Sequence, residues 1–99
     1  MKNHLIYGLA IAGALSLSAA SAQAACYADY KAKKAGPLKL HYGVIELPNA
    51  ACKNRKKAHR NIQNRIKVGG WNLLNVMSVF GPEGLAQRKQ SAGRFYLRF

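Results

Sequence analysis

The chain has 99 residues and carries 16 Lys and Arg against three Asp and Glu, a net charge of +13. Such a surplus points to anionic partners, and it leaves few titratable groups for acid–base chemistry. No nucleophilic-serine motif, P-loop or metal-ligand cluster stands in the sequence, so those chemistries are excluded and no cofactor is called for.

Residues 1–24, MKNHLIYGLAIAGALSLSAASAQA, place Lys2 before an apolar run from Leu5 to Leu17 and end in Ala22-Gln23-Ala24. That is the pattern of a secretory signal peptide with an A-x-A cleavage site. The run is shorter than the about 20 strongly apolar residues a membrane span needs. Lipidation of Cys26 is disfavoured by Gln23, which stands where a lipobox carries Leu. The expected address is periplasmic or secreted, with residues 25–99 as a single domain and no membrane span after cleavage.

Losing Lys2 with the leader leaves 15 cations against Asp29, Glu46 and Glu83, a charge of +12. A domain this small buries only about 60% of the surface of its unfolded chain, so a covalent staple matters. Cys26 and Cys52 are the two cysteines. Export takes them to an oxidising compartment, where they are expected to pair.

Along the domain, CYADYKAKK (26–34) is read as one or two helical turns, with Asp29 early and lysines late as the helix dipole prefers. Gly36-Pro37 ends it. LKLHYGVIEL (38–47) alternates Leu38, Leu40, Tyr42 and Val44 with Lys39, His41 and Gly43, which predicts a strand kinked or bulged near Gly43. Pro48-Asn49 supplies a turn and N-cap for a helix that ends at Gly69-Gly70. At about 100° per residue, Ala51, Ala58, Ile62, Ile66 and Gly69 fall on one narrow core stripe. Lys53, Lys56, Lys57, Arg60 and Lys67 fall on the opposite half and face water.

WNLLNVMSVF (71–80) predicts a central strand covered on both sides, with Trp71 closing the end of the helix. Gly81-Pro82-Glu83-Gly84 is a turn, LAQRKQSAG a short helical or loop excursion, and RFYLRF (94–99) an alternating terminal strand. The expected fold is α+β: about three antiparallel strands in the order strand, helix, strand, strand. They pack on one basic amphipathic helix, with a disulfide-tethered N-terminal segment.

The wording GGWNLLNV at the helix-to-strand junction, followed by a polar excursion and FYLRF, resembles a group of short uncharacterised bacterial β-α-β-β domains. In these a helix ends in Gly, a G-W-x-L motif opens a strand, and an aromatic-basic strand closes the chain. The exported pattern is also similar to small secreted or periplasmic proteins of alphaproteobacteria. The resemblance implies antiparallel pairing in an α+β fold; it implies no activity, and no functional residue is carried over.

The stretch KNRKKAHRNIQNRIK (53–67) is the main functional signal: seven Lys and Arg with no acid among them. A merely solvated helix mixes signs in i,i+4 pairs, whereas Lys53 with Lys57 and Lys56 with Arg60 repel. The leading reading is an exported, non-enzymatic binding protein. In it Lys53, Lys56, Lys57, Arg60 and Lys67 engage an anionic envelope component or an acidic protein. Nucleic acid is a possible partner without a motif, Tyr96 between Arg94 and Arg98 being the one stacking spot. Two alternatives stand beside it. A ribonuclease-like enzyme would join His41, Glu46 and Arg94 or Arg98, although strand parity puts His41 and Glu46 on opposite faces unless Gly43 shifts the phase. An inhibitor or immunity-type partner of another exported protein is the other.

Overall fold

The computed structural model describes residues 25–99. The leader read at 1–24 lies outside the described residues. The fold is α+β, with strands β1 (Cys26–Lys34), β2 (Lys39–Leu47) and β3 (Asn72–Phe80) and helices α1 (Arg55–Ile66) and α2 (Ala86–Ala92). The sheet is antiparallel, in the order β2-β1-β3.

CYADYKAKK is therefore not helical but the central strand. Its period-two pattern outweighs the helix propensity of Ala and Lys: Cys26, Ala28, Tyr30 and Ala32 are all buried on one face. Ala28 and Ala32 belong to one apolar core with Ala58, Ile62 and Ile66 of the predicted stripe and with Ile45, Leu47 and Trp71. Tyr30 needs more room than a flat face gives. Its register partner on β2 is Gly43, and a methyl group added there would stand 2.5 Å from the Tyr30 hydroxyl oxygen. Gly43 thus seats a ring; the β1–β2 register runs without a bulge from Cys26↔Leu47 to Lys34↔Lys39.

The irregularity lies instead in β3, an edge strand rather than the central one. Its pairing with β1 slips between Asp29 and Tyr30 and again between Lys31 and Ala32. The slips leave Met77 and Leu74 without partners, 42% and 46% exposed, while Leu73, Val76 and Val79 pack on the core. Two bulges convert a period of two into a period of three, so the strand turns Leu73, Val76 and Val79 to the core instead of being covered on both sides.

Helix α1 starts later than Pro48-Asn49 suggested. A 3-10 turn at Asn49–Ala51 comes first, and the cap is Asn54, whose side chain accepts a 3.0 Å bond from the Lys57 N–H. The helix tightens into a second 3-10 turn, Lys67–Gly69, and stops at Gly70 in the left-handed region at φ 84°. Gln63 then secures the start of β3. Its Nε2 donates to the Trp71 carbonyl at 3.3 Å and its Oε1 accepts from the Leu73 N–H at 2.7 Å.

The opposite face of the sheet is built round a carboxylate. Asp29, only 6% exposed, accepts from Ser78 Oγ of β3 at 2.6 Å, Tyr42 Oη of β2 at 2.8 Å and Arg88 Nε of α2 at 3.1 Å. Burial raises its pKa, but the bonds from Ser78 and Tyr42, with the bond and charge of Arg88, outweigh burial and hold it below its ordinary value. The same carboxylate, together with burial, pushes Tyr42 up to about 12.

RFYLRF does not form a strand. After α2 a 3-10 turn at Gly93–Phe95 brings the chain alongside the outer edge of β2, where Tyr96 makes one parallel bridge to Val44. Leu97, at φ 53°, donates its N–H to the Val44 carbonyl at 2.8 Å. Pairing ends there because the left-handed residue turns Arg98 and Phe99 away from the edge. The reach back to β3 is unused; α2 packs on β2 and delivers the terminus to that side.

Cys26 and Cys52 are bonded, with Cα atoms 6.0 Å apart, and tie the first residue of β1 to the turn before α1. A loop of this length gives a stabilisation of about 3–4 kcal/mol in the chain-entropy model. Cys26→Ser/Cys52→Ser should lose about that amount in urea denaturation; a loss below about 1 kcal/mol would show the bridge to be dispensable. Asp29→Ala should cost about 3–5 kcal/mol, since it strands Arg88 and two hydroxyls, and Asp29→Asn should cost less. Equal, small losses for both would mean the carboxylate does not organise this face.

Candidate functional site: a basic helix face and a cation-ringed cleft

Helix α1 carries Lys56, Lys57 and Arg60 on its exposed face, while Lys53 precedes the Asn54 cap and Lys67 lies in the 3-10 turn beyond Ile66. All five are exposed. The structure gathers three of them. Lys56 and Arg60 line a shallow groove of about 360 Å³ with His59, Gln63 and Asn64. Lys57 and Arg60 line a second, of about 260 Å³, with Asn61, Asn64 and Pro48. Arg60 is shared, and Lys53 and Lys67 line neither. Among the described residues the single ion pair is Arg88 with Asp29, so none of these cations has a carboxylate partner.

One cation of the stretch has a structural task instead. Arg65 is half-buried, and its Nη1 donates to the Glu46 carbonyl at 2.6 Å and Asn61 Oδ1 at 2.9 Å, its Nη2 to the Phe99 carbonyl at 2.8 Å. It fastens α1 to the end of β2 and to the last residue of the chain.

A second cationic feature was not visible in the sequence. Three separate segments enclose a cleft of about 490 Å³: Lys34, Lys39 and Leu40 from the β1–β2 hairpin, Gly69 and Trp71 after α1, and Arg94, Phe95, Arg98 and Phe99 from the terminus. Lys34 and Lys39 are direct cross-strand partners, an opposition of like charges that disfavours the hairpin end. Rings supply part of the compensation. Lys34 Nζ lies 4.5 Å from the Trp71 ring centre, and the guanidinium carbons of Arg94 and Arg98 lie 5.5 and 5.9 Å from that of Phe95. The expected stacking residue, Tyr96, is half-buried near Lys89 and does not line the cleft; Phe95 and Phe99 do.

Behind the cleft lies His41, 7% exposed. Its ring stacks on Phe95 at 3.7 Å between centres and meets Trp71 edge-on at 4.2 Å. Nε2 shares a 3.0 Å hydrogen bond with the Tyr30 hydroxyl, and Nδ1 is buried with no partner among the described residues. Burial, followed by the charge of Lys34, lowers the His41 pKa from 6.5 to about 4. Burial, eased slightly by Arg65, raises Tyr30 to about 12. The residues of the ribonuclease reading are thus not assembled. With no bulge to shift the phase, His41 pairs with Ala32 and the exposed Glu46 with Tyr27, on opposite faces of the sheet. A buried neutral imidazole wedged between rings is a packing element.

No protein-family model, curated protein or solved structure matches the chain. The site is read from its own geometry.

His41 gives a pH prediction. The folded state holds it neutral while the unfolded chain takes a proton near pH 6.5, so its contribution is complete above that value and is lost as pH falls toward about 4. The Asp29 contribution has a lower window, present above 3.8 and lost as pH falls through its depressed folded value. The urea midpoint should fall between those first two pH values in the native chain and stay nearly flat in His41→Gln. Parallel curves would rule out His41 as the origin of that slope.

Proposed function

We propose that the protein is an exported, non-enzymatic binding protein whose basic helix engages an anionic envelope surface or an acidic protein. The observation that carries this reading is the outward display of Lys53, Lys56, Lys57, Arg60 and Lys67 with no carboxylate bonded to any of them. Lys56 and Arg60, four apart on α1, repel by a few tenths of a kcal/mol, and a polyanion laid along the helix relieves that repulsion. The amides of Asn61 and Asn64 in the two grooves add neutral donors suited to phosphate or sulfate oxygens. Export is supported by the leader pattern and by the Cys26–Cys52 bridge, which suits an oxidising compartment. No helix among the described residues is long and apolar enough to cross a membrane, so attachment to a lipid surface would be peripheral.

The test is retention on a heparin or phosphocellulose matrix against a salt gradient. Lys56→Glu/Lys57→Glu/Arg60→Glu should elute at much lower salt than the native protein and keep its circular dichroism, because none of the three side chains makes a contact that holds the fold. Elution at the native salt concentration by the folded variant would end the proposal. Pull-down from an envelope extract at low and high salt then separates a stoichiometric acidic protein from a lipid or glycan surface.

A further inference from the structure

We propose that the cleft bounded by the β1–β2 hairpin end, Trp71 and the C-terminal segment is a separate site for a small organic phosphate carrying a planar ring, of which a nucleoside monophosphate is the simplest form. Its volume of about 490 Å³ lies within the roughly 300–1,000 Å³ of small-ligand pockets. The α1 grooves are shallower and suit an extended polyanion better.

Charge selects the phosphate. Lys34, Lys39, Arg94 and Arg98 converge on one cleft, and no Asp or Glu side chain is among its lining residues. A phosphomonoester brings about −1.5 to −2 charges at neutral pH and three acceptor oxygens, enough for two of the four cations at once. Arginine presents the planar fork that matches it. Among the described residues neither Arg94 nor Arg98 makes a side-chain hydrogen bond, and both are exposed, so their guanidinium groups can turn onto a ligand.

The rings select the body. His41 covers one face of Phe95, so the remainder of that ring, together with Phe99, forms the apolar wall beside the arginines. The two Phe rings are nearly parallel, 14° apart with centres at 6.4 Å, and present a wall on which a planar group can stack. Two hydrogen bonds hold the wall in place, Leu97 N–H to the Val44 carbonyl at 2.8 Å and Arg65 Nη2 to the Phe99 backbone oxygen at 2.8 Å, while Leu97 at φ 53° turns Arg98 and Phe99 back from the β2 edge toward the cleft. Beneath it, the buried His41 and its bond to Tyr30 fix the Phe95 ring from behind.

The molecule carries its own reporter, since Trp71 is the single tryptophan and lines the cleft. Uridine monophosphate, inorganic phosphate and uridine are titrated separately into the full domain while Trp71 fluorescence is followed. Uridine monophosphate should give a saturable change at least tenfold tighter than either half-ligand alone. Arg94→Gln/Arg98→Gln should weaken it tenfold or more without altering circular dichroism. The α1 triple-Glu variant should titrate within threefold of the native chain, which keeps failure of this site distinct from failure of the helix surface. Three results would overturn the proposal: no saturation, equal affinity for phosphate and the nucleotide, or unchanged binding in the double Gln variant.

Discussion

The Asp29 carboxylate is the constraint on which the rest of the structure turns. It sits on the central strand, and its donors come one each from β2, β3 and α2. Those bonds join every strand of the sheet to the C-terminal helix at a single buried point. Arg88 continues the connection outward, donating to the Gly84 carbonyl at 2.8 Å and lying 3.9 Å from the Phe80 ring centre. Phe80 in turn stacks with Tyr27. A buried charge is tolerable only when its desolvation is offset by short hydrogen bonds, and the lowered pKa of Asp29 shows that here the bonds prevail. In a chain with only three acids, committing one of them internally leaves Glu46 and Glu83 as the only side-chain counter-charges for the outer surface. The surface charge is thus partly a consequence of how the sheet is held.

That arrangement gives β1 two faces in unlike environments. One face, Cys26, Ala28, Tyr30 and Ala32, meets the apolar side of α1; the other presents Asp29 to a polar cluster under α2. The strand's composition follows from this. Small residues accommodate the helix, one large ring lies over Gly43, and the acid points the other way. The disulfide leaves from the same strand, so the apolar core, the carboxylate cluster and the covalent staple share one nine-residue element.

How much of this the sequence shows can be judged residue by residue. The class of fold was legible because α1 carries a clean stripe, Ala58, Ile62 and Ile66, and because Gly69-Gly70 and Trp71 mark the passage into a strand. The disulfide followed from counting. What misled was local propensity: CYADYKAKK reads as helix from Ala, Lys and an early Asp, although every second residue from Cys26 to Ala32 is apolar and the strand signal was there to be weighed. The faces of β3 could not be read at all, since two bulges rephase it and a bulge leaves no mark in a run such as LLNVMSV. RFYLRF alternates as a strand would, yet Phe95 and Phe99 point inward for a different reason, to close over His41 and Trp71. The cationic helix was legible as one contiguous stretch. The cleft was not, because its charges come in ordinary-looking pairs at 34, 39 and 94, 98 that only the hairpin and the terminal turn bring together.

The two cationic surfaces bear differently on stability, and this separates what each is fitted for. The cations of α1 stand in open water, where a Debye length of about 8 Å at physiological salt leaves close neighbours within reach of one another but little gained from any one contact. Attraction there is cumulative and needs a partner with many charges. The cleft is different: Lys34 opposes Lys39 across a strand pair, and its charge adds to burial in lowering the pKa of His41. Charge gathered beside a low-dielectric wall of rings is screened less. One compact anion placed there acts on several cations at once, and its binding free energy adds to that of folding because the unfolded chain has no such convergence of segments. Under the two proposals, the diffuse surface would serve capture and the occupancy of the focused one would be felt by the fold.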